Sequence, residues 1–320
     1  MNHRFPMLCC LTVMYAWILT DVIGQELSEP DSFLDNDPAA ESSAAGRVIE
    51  IMALDTESDN VRSVASIPEY PVIYSPEVSS DGAWVAVDGW KHGQRLTDAH
   101  LLLVHRRTGI VADLGPGAMP SWPPDGRRRA WSRYPTADNK GGVFIGRVDQ
   151  SRQKHIHDGG WAITWAPVGQ KVVYIKGGDL IVVDFKSKSG HTIFADGESP
   201  YRHILHNPEW SPDGSRICFI GLRSDGTREF ATVAASGDAD LQVCCSATGF
   251  NPDIGWSKDG RRLTIPGGGG AHGKHGQIWV YDFETKGSPT LLPGQSTDRH
   301  NSGNDWSPDG KTLYFVSSRS

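Results

Sequence analysis

Several classes of protein are excluded by what this sequence has little of. Positive charge is in deficit, because 31 Lys and Arg face 38 Asp and Glu among 320 residues, and the net charge of -7 argues against nucleic-acid binding. Five cysteines are too few for a disulfide-dense scaffold. Hydrophobic residues make up 38% of the chain, beside 36 Gly and 20 Pro, which excludes coiled coils, collagen and multi-span membrane proteins. A turn-rich globular protein remains.

The amino-terminal residues predict an exported protein. Residues 1–24 combine Arg4, a short apolar run and the small residues Val22 and Gly24, which is typical of a signal peptide cleaved ahead of Gln25. Residues 25–46 are acidic and contain neither Lys nor Arg, so we expect a disordered linker. The folded part is predicted over residues 47–320, with no membrane span in the mature chain and a location in the periplasm or outside the cell.

Tryptophan is abundant, and it marks a repeat. The segment WSPDG at residues 210–214 returns at 306–310, and weaker copies begin at Val78, Trp122, Trp165 and Trp256. The residues that carry the repeat are Trp122, Trp165, Trp210, Trp256 and Trp306, then Asp81, Asp125, Asp213, Asp259 and Asp309, and finally Gly82, Gly126, Gly169, Gly214, Gly260 and Gly310. Successive glycines differ in number by 43 to 50, a period typical of four-stranded propeller blades.

The repeat predicts an all-β fold, a closed six-bladed β-propeller. Pro-Asp-Gly favours a tight turn, and a short alternating strand follows each copy. Six copies of this first hairpin are present, but only five are followed by a second hairpin. Residues 47–66 form a second hairpin without a first, so we expect them to complete the carboxy-terminal blade and to remove the exposed sheet edges. Each repeat Trp is expected to pack against the neighbouring blade.

WSPDG followed by an apolar strand, repeated six times behind a signal peptide, resembles the β-propeller of TolB-type periplasmic proteins. The resemblance covers residues 47–320, whereas the additional α/β domain of TolB has no counterpart in the 22 residues of the linker. Related repeats occur in prolyl-oligopeptidase-like enzymes, but the sequence lacks their G-x-S-x-G elbow. The resemblance implies a non-enzymatic scaffold that binds a protein or cell-envelope partner, and we expect a monomer.

Strand order predicts two faces of different character. The turns after the first and third strand of each blade share one face, called here the turn face, and they are short. The loops after the second strand and the blade-to-blade connections share the opposite face, called here the crossover face. It carries long irregular loops and eight of the 11 histidines outside the signal peptide. We predict that ligands bind on the crossover face, because functional residues usually lie on loops. The predicted ligand-binding residues are His203, His206, His272, His275 and His300.

Two function hypotheses remain open from the sequence. The first is the exported binding scaffold, with no established cofactor, in which the histidines contribute to a polar binding surface or change charge near pH 6.5. The alternative is a metal-dependent propeller enzyme such as a polysaccharide lyase resembling oligogalacturonate lyase, in which the histidines hold a divalent metal. Its candidate residues are Lys91, Asp158, Lys274 and Asp298.

Two smaller groups receive structural interpretations. Arg127, Arg128 and Arg129 follow a predicted turn and are expected to form a solvated strand edge. Cys218 is expected on the second strand of its blade, whereas Cys244 and Cys245 lie near the fourth, too far away for a disulfide with Cys218. For the adjacent pair, reduced thiols are favoured over a strained vicinal bridge.

Overall fold

Six antiparallel sheets form six consecutive propeller blades. The computed structural model describes residues 48–137, 140–194, 198–205, 207–237, 240–251, 253–267 and 276–319. These described residues belong to one compact unit. The predicted signal peptide and linker lie outside them. Among the described residues, no helix is long and apolar enough to cross a membrane.

Blades 1 to 3 each contain four strands in simple up-and-down order. Blade 1 comprises β3 (Val72–Val78), β4 (Trp84–Trp90), β5 (His100–His105) and β6 (Val111–Pro116), with a 3-10 turn at Leu96–Asp98. Blade 2 comprises β7 (Ala118–Ser121), β8 (Arg128–Arg133), β9 (Gly142–Arg147) and β10 (Lys154–His157). Blade 3 comprises β11 (Trp161–Trp165), β12 (Lys171–Lys176), β13 (Asp179–Asp184) and β14 (Ser189–Thr192).

Blades 4 to 6 follow the same plan with two variations. In blade 4 the first strand is interrupted, since β15 (His203–Ile204) and β16 (Glu209–Trp210) both pair with β17 (Arg216–Leu222), ahead of β18 (Arg228–Ala234) and β19 (Gln242–Ser246). Blade 5 comprises β20 (Gly255–Trp256), β21 (Arg262–Gly267), β22 (Gln277–Asp282) and β23 (Thr290–Leu291). Blade 6 combines β24 (His300–Trp306) and β25 (Thr312–Arg319) with β1 (Val48–Asp55) and β2 (Val61–Ser66).

Blade 6 joins the two ends of the propeller, as the repeat count predicted. Strand β1 pairs with β25 in antiparallel register from Val48 opposite Arg319 to Asp55 opposite Thr312. A buried arginine reinforces the joint, because Arg299 donates from Nη2 to Glu50 Oε2 at 2.6 Å and from Nε to Ser317 Oγ at 2.7 Å. The prediction of a six-bladed propeller closed by its amino-terminal strands is confirmed.

The repeat tryptophans lie at the interfaces between blades. Trp122, Trp165, Trp210, Trp256 and Trp306 are all buried. The indole of Trp122 donates from Nε1 to the Glu77 carbonyl of blade 1 at 3.2 Å, and that of Trp210 donates to the Thr164 carbonyl of blade 3 at 3.2 Å. The Trp306 indole reaches blade 5 through Thr264 Oγ1 at 3.1 Å. These three side chains therefore combine apolar burial with one directional contact to the preceding blade, whereas the Trp256 indole donates to the Gly260 carbonyl of its own turn at 3.1 Å.

The turn that follows the tryptophan is fixed by a serine and an aspartate. In the fourth copy, Ser211 Oγ donates to Asp213 Oδ1 at 2.6 Å, the Ser215 amide donates to the same oxygen at 3.0 Å, and the Arg216 amide donates to Ser211 Oγ at 2.9 Å. Equivalent bonds join Ser257 to Asp259 and Ser307 to Asp309. These local bonds supply the turn geometry that the motif predicts.

One arginine of the run at residues 127–129 is buried between two blades. The prediction of a solvated edge is wrong for Arg129, which is 0% exposed because its position on β8 points it into the interface between blades 1 and 2.

The three cysteines lie on two strands of blade 4. Cys218 lies on β17 and the adjacent Cys244 and Cys245 lie on β19, with β18 between them. All three are free thiols. Burial raises the pKa of Cys244 to about 12 and that of Cys245 to about 11, so neither is a reactive thiolate at neutral pH.

Ring closure predicts unequal effects of two deletions. Removing residues 48–66 deletes β1 and β2 and leaves β25 with an unpaired edge, so the melting temperature should fall sharply. Removing residues 25–46 is the control and should hardly change it, since their composition cannot build a core. Differential scanning calorimetry of both proteins measures the difference, and equal melting temperatures would contradict the closure.

Tryptophan burial predicts a large cost for truncation. Trp210→Ala should reduce the free energy of unfolding by about 3 to 5 kcal/mol, because a cavity replaces a buried indole. Ile110→Ala is a surface control, since Ile110 is 64% exposed, and should change stability by less than about 0.5 kcal/mol. Urea denaturation measures both, and a loss below about 1 kcal/mol for Trp210→Ala would show that the indole does not hold the two blades together.

Candidate functional site

All six inner strands contribute to one central cavity. Its volume is about 40 Å³, enough for a few water molecules. The lining residues come in short consecutive groups, one from each blade. They are Ser75, Pro76, Glu77, Met119, Pro120, Ile163, Thr164, Asn207, Pro208, Glu209, Asp253, Ile254 and Asn304. We call this region the channel.

A backbone irregularity recurs where the inner strands reach the channel. Three residues before the repeat Trp position, Ser75, Met119, Ala162 and Asn207 adopt positive φ angles of 50°, 51°, 54° and 56°. The register of strand pairing shifts at the same place in blades 1, 2, 3 and 6. Non-glycine residues avoid this conformation, so the structure carries local strain around the axis. Such repeated bulges re-aim side chains toward the axis.

One layer of the channel is a network of amides and carboxylates. The Asn207 side chain donates from Nδ2 to Asp253 Oδ1 and lies 3.3 Å from Ser75 Oγ, which joins blades 4, 5 and 1. Asn304 of blade 6 donates from Nδ2 to the Asp253 carbonyl at 3.0 Å. Four blades thus meet through polar side chains, so the network both lines the channel and fixes the spacing of its walls.

A second layer is acidic. Glu77, Glu209 and Asp305 precede the repeat Trp position directly in blades 1, 4 and 6. Asp305 is anchored, because it accepts from the Val78 amide and from the Trp306 amide, both at 2.7 Å. Glu77 accepts from Ser121 Oγ at 3.2 Å. Three carboxyl groups from three blades therefore face one another across a confined space.

Confinement shifts the titration of these acids. Burial and the charges of Asp305 and Glu209 raise the pKa of Glu77 well above its usual range. Burial and Asp305 raise the pKa of Glu209 to about 8, although Lys258 opposes the shift. Burial likewise raises the pKa of Asp305. Carboxyl groups of this kind share protons at neutral pH and gain by neutralisation with a positive charge.

Lys258 provides a positive charge near this acidic layer. It occupies the tight turn of blade 5, where Pro stands in the two complete WSPDG copies. Burial by the surrounding protein lowers its pKa, but Asp305, Glu209 and Glu77 outweigh that effect and raise it overall. Its Cβ lies next to Gly310 in the corresponding turn of blade 6. Lys258 thus compensates part of the negative charge at the turn-face end of the channel.

A further acid, Asp88, lies beside the channel on β4. Its Oδ2 accepts from the Met119 amide at 2.9 Å, which joins blade 1 to blade 2, while its buried Oδ1 has no partner among the described residues. Burial raises the pKa of Asp88 to about 7, and the charge of Asp253 adds to the shift. Asp88 is therefore half-protonated near neutral pH, and one of its oxygens lacks a hydrogen-bond donor. A positive charge near the axis would stabilise its ionised form.

Aromatic side chains surround the crossover-face end in blades 1 to 3. Tyr74 packs edge-on against Trp90 with ring centroids 5.8 Å apart, and Tyr134 lies 4.3 Å from Trp161. All except Trp90 remain partly exposed. This group, called here the aromatic rim, offers apolar contact area beside a polar, acidic interior, an arrangement suited to binding a partner side chain or segment.

The predicted histidine site is only partly within the described residues. His206, His272 and His275 lie outside them. His203 begins β15 in blade 4, opposite Leu222. His300 begins β24 in blade 6 and accepts from the Gly276 amide at Nδ1, 3.0 Å away. Blade 5 separates these two histidines, so the structure does not bring them together, and a shared histidine site remains a prediction.

The residues proposed for the enzyme hypothesis are dispersed. Lys91 lies 3.7 Å from Asp113 in blade 1, and Asp158 pairs with His155 at 3.3 Å after blade 2. Asp298 accepts from Ser296 before blade 6, while Lys274 lies outside the described residues. Within the described ranges, no group of three His, Cys, Asp or Glu side chains is arranged to hold a metal ion.

Sequence reasoning missed the channel acids, although the repeat contained a signal for them. Aligning the copies on the Trp position places Glu77, Glu209 and Asp305 in the same column, directly before it. An acid at that position, present in three of six copies, is needed neither for the turn nor for the hydrophobic core. Since the inner strand of a propeller lines the axis, the column predicts a carboxylate cluster. Lys258 has a comparable signal, because it replaces Pro in the motif.

Comparison with known proteins identifies the fold. No family model and no curated protein sequence matches the chain. Among solved structures, a protein assigned as TolB from Agrobacterium tumefaciens is 17% identical, with a TM-score of 0.64 over 86% of this chain and 100% of that one. TolB from Acinetobacter baumannii is 14% identical, with a TM-score of 0.57 over 86% of this chain and 65% of that one.

A chain in a nidogen/laminin complex is also similar, at 9% identity and a TM-score of 0.56, over 77% of this chain and 94% of that one. Identities this low show the fold alone. The predicted resemblance to TolB-type propellers is therefore confirmed for the architecture.

The channel acids predict that stability decreases with rising pH. The folded protein retains protons on Glu209 and Asp88 that the unfolded chain releases above its ordinary carboxyl pKa, so rising pH favours unfolding between pH 4.5 and about 8. Glu209→Gln mimics the protonated acid. Its free energy of unfolding should fall by about 1 to 3 kcal/mol less than that of wild type between pH 5.5 and pH 8.5.

Urea denaturation at both pH values measures this difference. The matched control is Glu284→Gln, which changes an exposed glutamate paired with Arg261 on the turn face and should retain the wild-type pH dependence. The same slope in all three proteins would mean that Glu209 is ionised in the folded state.

Proposed function

We propose that this protein is an exported binding scaffold that engages a protein or cell-envelope partner at the crossover-face mouth of its channel. The observation that carries the proposal is the charge of the channel. Glu77, Glu209, Asp305 and Asp253 face the axis or lie directly beside it, and among the described residues Lys258 supplies a compensating positive charge from the turn face.

The chemistry of the partner follows from this imbalance. A lysine or arginine side chain, or an amino terminus, would neutralise carboxyl groups that burial makes costly to ionise. The aromatic rim supports entry from the crossover face, because Tyr74, Tyr134 and Trp161 are partly exposed there and can pack against the apolar part of an inserted segment. Cationic charge flanked by apolar or aromatic residues is the expected recognition feature.

The fold and the predicted leader support the cellular setting. The chain shares its architecture with TolB structures, and residues 1–24 have the pattern of a signal peptide. A partner in the bacterial periplasm or cell envelope is consistent with both. The metal-dependent enzyme receives no comparable support, since the described residues contain no three-ligand group and its candidates are dispersed over different blades.

The proposal is tested by matched capture experiments. Immobilised wild type, Glu77→Gln/Glu209→Gln and Tyr134→Ala are each incubated with a cell-envelope extract, and retained proteins are identified by mass spectrometry. The control, Lys188→Ala/Lys286→Ala, alters the turn face. A protein retained by wild type and control but lost from both channel variants supports the proposal. Loss from the control alone, with retention by both channel variants, overturns it.

The histidine prediction has its own test. His203→Ala/His300→Ala should weaken binding of the captured protein at least about tenfold while leaving the melting temperature within a few degrees of wild type. Isothermal titration calorimetry at pH 6 and pH 8 measures the affinity. Unchanged affinity at both pH values would remove the two histidines from the binding surface and leave the channel and rim as its determinants.

A further inference from the structure

A buried arginine stands without any hydrogen bond between blades 1 and 2. Arg129 on β8 is 0% exposed, and Nε, Nη1 and Nη2 all lack a hydrogen-bond partner among the described residues. Its described polar contact is with the Trp131 ring, whose centroid lies 5.6 Å from the guanidinium carbon. Burial lowers the pKa of Arg129 to about 10, which still leaves it charged at neutral pH. An unpaired buried charge is costly, so the guanidinium requires a partner.

A surface groove lies next to this arginine. Its lining consists of Leu114 from blade 1 and of Arg127, Arg147, Val148 and Asp149 from blade 2. The register of β8 against β9 pairs Arg128 with Arg147 and Arg129 with Gly146, so Arg129 is one step along the sheet from a groove residue.

The side chains around the groove favour access from its side. Arg127 directly precedes β8 and lies two residues before Arg129. Leu114 and Val148 also belong to the apolar cluster between blades 1 and 2 that contains Ala86, Leu103 and Trp122. These two partly buried side chains thus form the wall between the groove and the interior. For a small ligand to reach Arg129, these two side chains would have to move aside.

The charge of this region is positive. Arg127 and Arg147 are exposed at the groove, Arg129 is buried two residues along the chain from Arg127, and Asp149 is the one carboxylate in the lining. Asp149 is engaged within its own turn, because its Oδ1 accepts from the Ser151 amide at 2.9 Å. Three arginines against one aspartate leave a charge of +2, and none of the three forms an ion pair within the described ranges.

We propose that this groove is an oxyanion-binding site, in which Arg127 and Arg147 attract the anion and Arg129 donates hydrogen bonds to it from below. The ligand is a phosphate or sulfate group, either as the free ion or carried by a larger molecule. The planar fork of a guanidinium matches such an anion, and the buried donor provides the strongest hydrogen bonds. The site lies on the outer part of the turn-face side, away from the channel, and is independent of the partner proposed above.

Anion-dependent stability tests the proposal directly. Wild-type protein is titrated with inorganic phosphate, with sulfate and with glycerol 3-phosphate at constant ionic strength set by sodium chloride, and the melting temperature and the heat of binding are measured. We expect a saturable rise in melting temperature. Tighter binding of glycerol 3-phosphate would identify an anion carried by a larger molecule, and tighter binding of inorganic phosphate would identify the free ion.

Three variants assign the effect to the groove. Arg129→Met should weaken anion binding at least about tenfold and should be no less stable than wild type in chloride alone, because it removes an unpaired buried charge. Arg127→Gln/Arg147→Gln should also weaken binding and keeps the test valid if Arg129→Met does not fold. Arg261→Gln is the control, since Arg261 is exposed in the turn of blade 5 and pairs with Glu284 away from the groove. The absence of a saturable shift in wild type, or equal shifts in wild type and the groove variants, would overturn the proposal.

Discussion

The contact that the structure depends on is the apolar packing of each repeat tryptophan against the preceding blade. The indoles of Trp122 and Trp210 donate to the backbone carbonyls of Glu77 and Thr164, and Trp306 reaches the same position in blade 5 through Thr264, which itself donates to the Gly255 carbonyl. Glu77 and Thr164 stand directly before the Trp position of their blades, so these two carbonyl contacts fix blade 2 relative to blade 1 and blade 4 relative to blade 3. The inner strands of the six blades meet around one axis, where they line the channel.

The same residue position supplies both the structural contact and the chemistry. At Glu77 and Thr164, directly before the Trp position, the backbone carbonyl accepts the indole of the next blade while the residue lines the channel. The carbonyl contact is available to any residue type, so the side chain is free to vary among Glu, Ser, Thr, Gly and Asp. A propeller can therefore change the charge of its channel without changing the packing of its blades. Carboxyl groups placed at this position bind protons more tightly, as the raised pKa values of Glu77 and Glu209 show.

The sequence was sufficient to predict the elements that repeat. The glycine spacing predicted six blades, and the orphan hairpin at residues 47–66 predicted the pairing of β1 with β25, because hydrophobic alternation and turn residues are local signals. The features that depart from the repeat were harder to recognise. Arg129 occupies a column filled elsewhere by Val172, Ile217 and Leu263, and its burial follows from that column rather than from its own polarity. The positive φ angles at Met119 and Ala162 have no local signal, because neither residue type favours this conformation.

Closure of the ring by β1 also sets an order on the assembly of the chain. Thr56, at the end of β1, donates from Oγ1 to the Lys311 carbonyl across a sequence separation of 255 residues, and the β1 to β25 ladder lies beside it. Blades 1 to 5 are built from contiguous segments, whereas blade 6 needs the first and the last described strands together. During synthesis, the edge of β1 therefore has no pairing partner until β25 has been made. Such a late, non-local step slows folding and leaves a transient strand edge that is open to pairing with another chain.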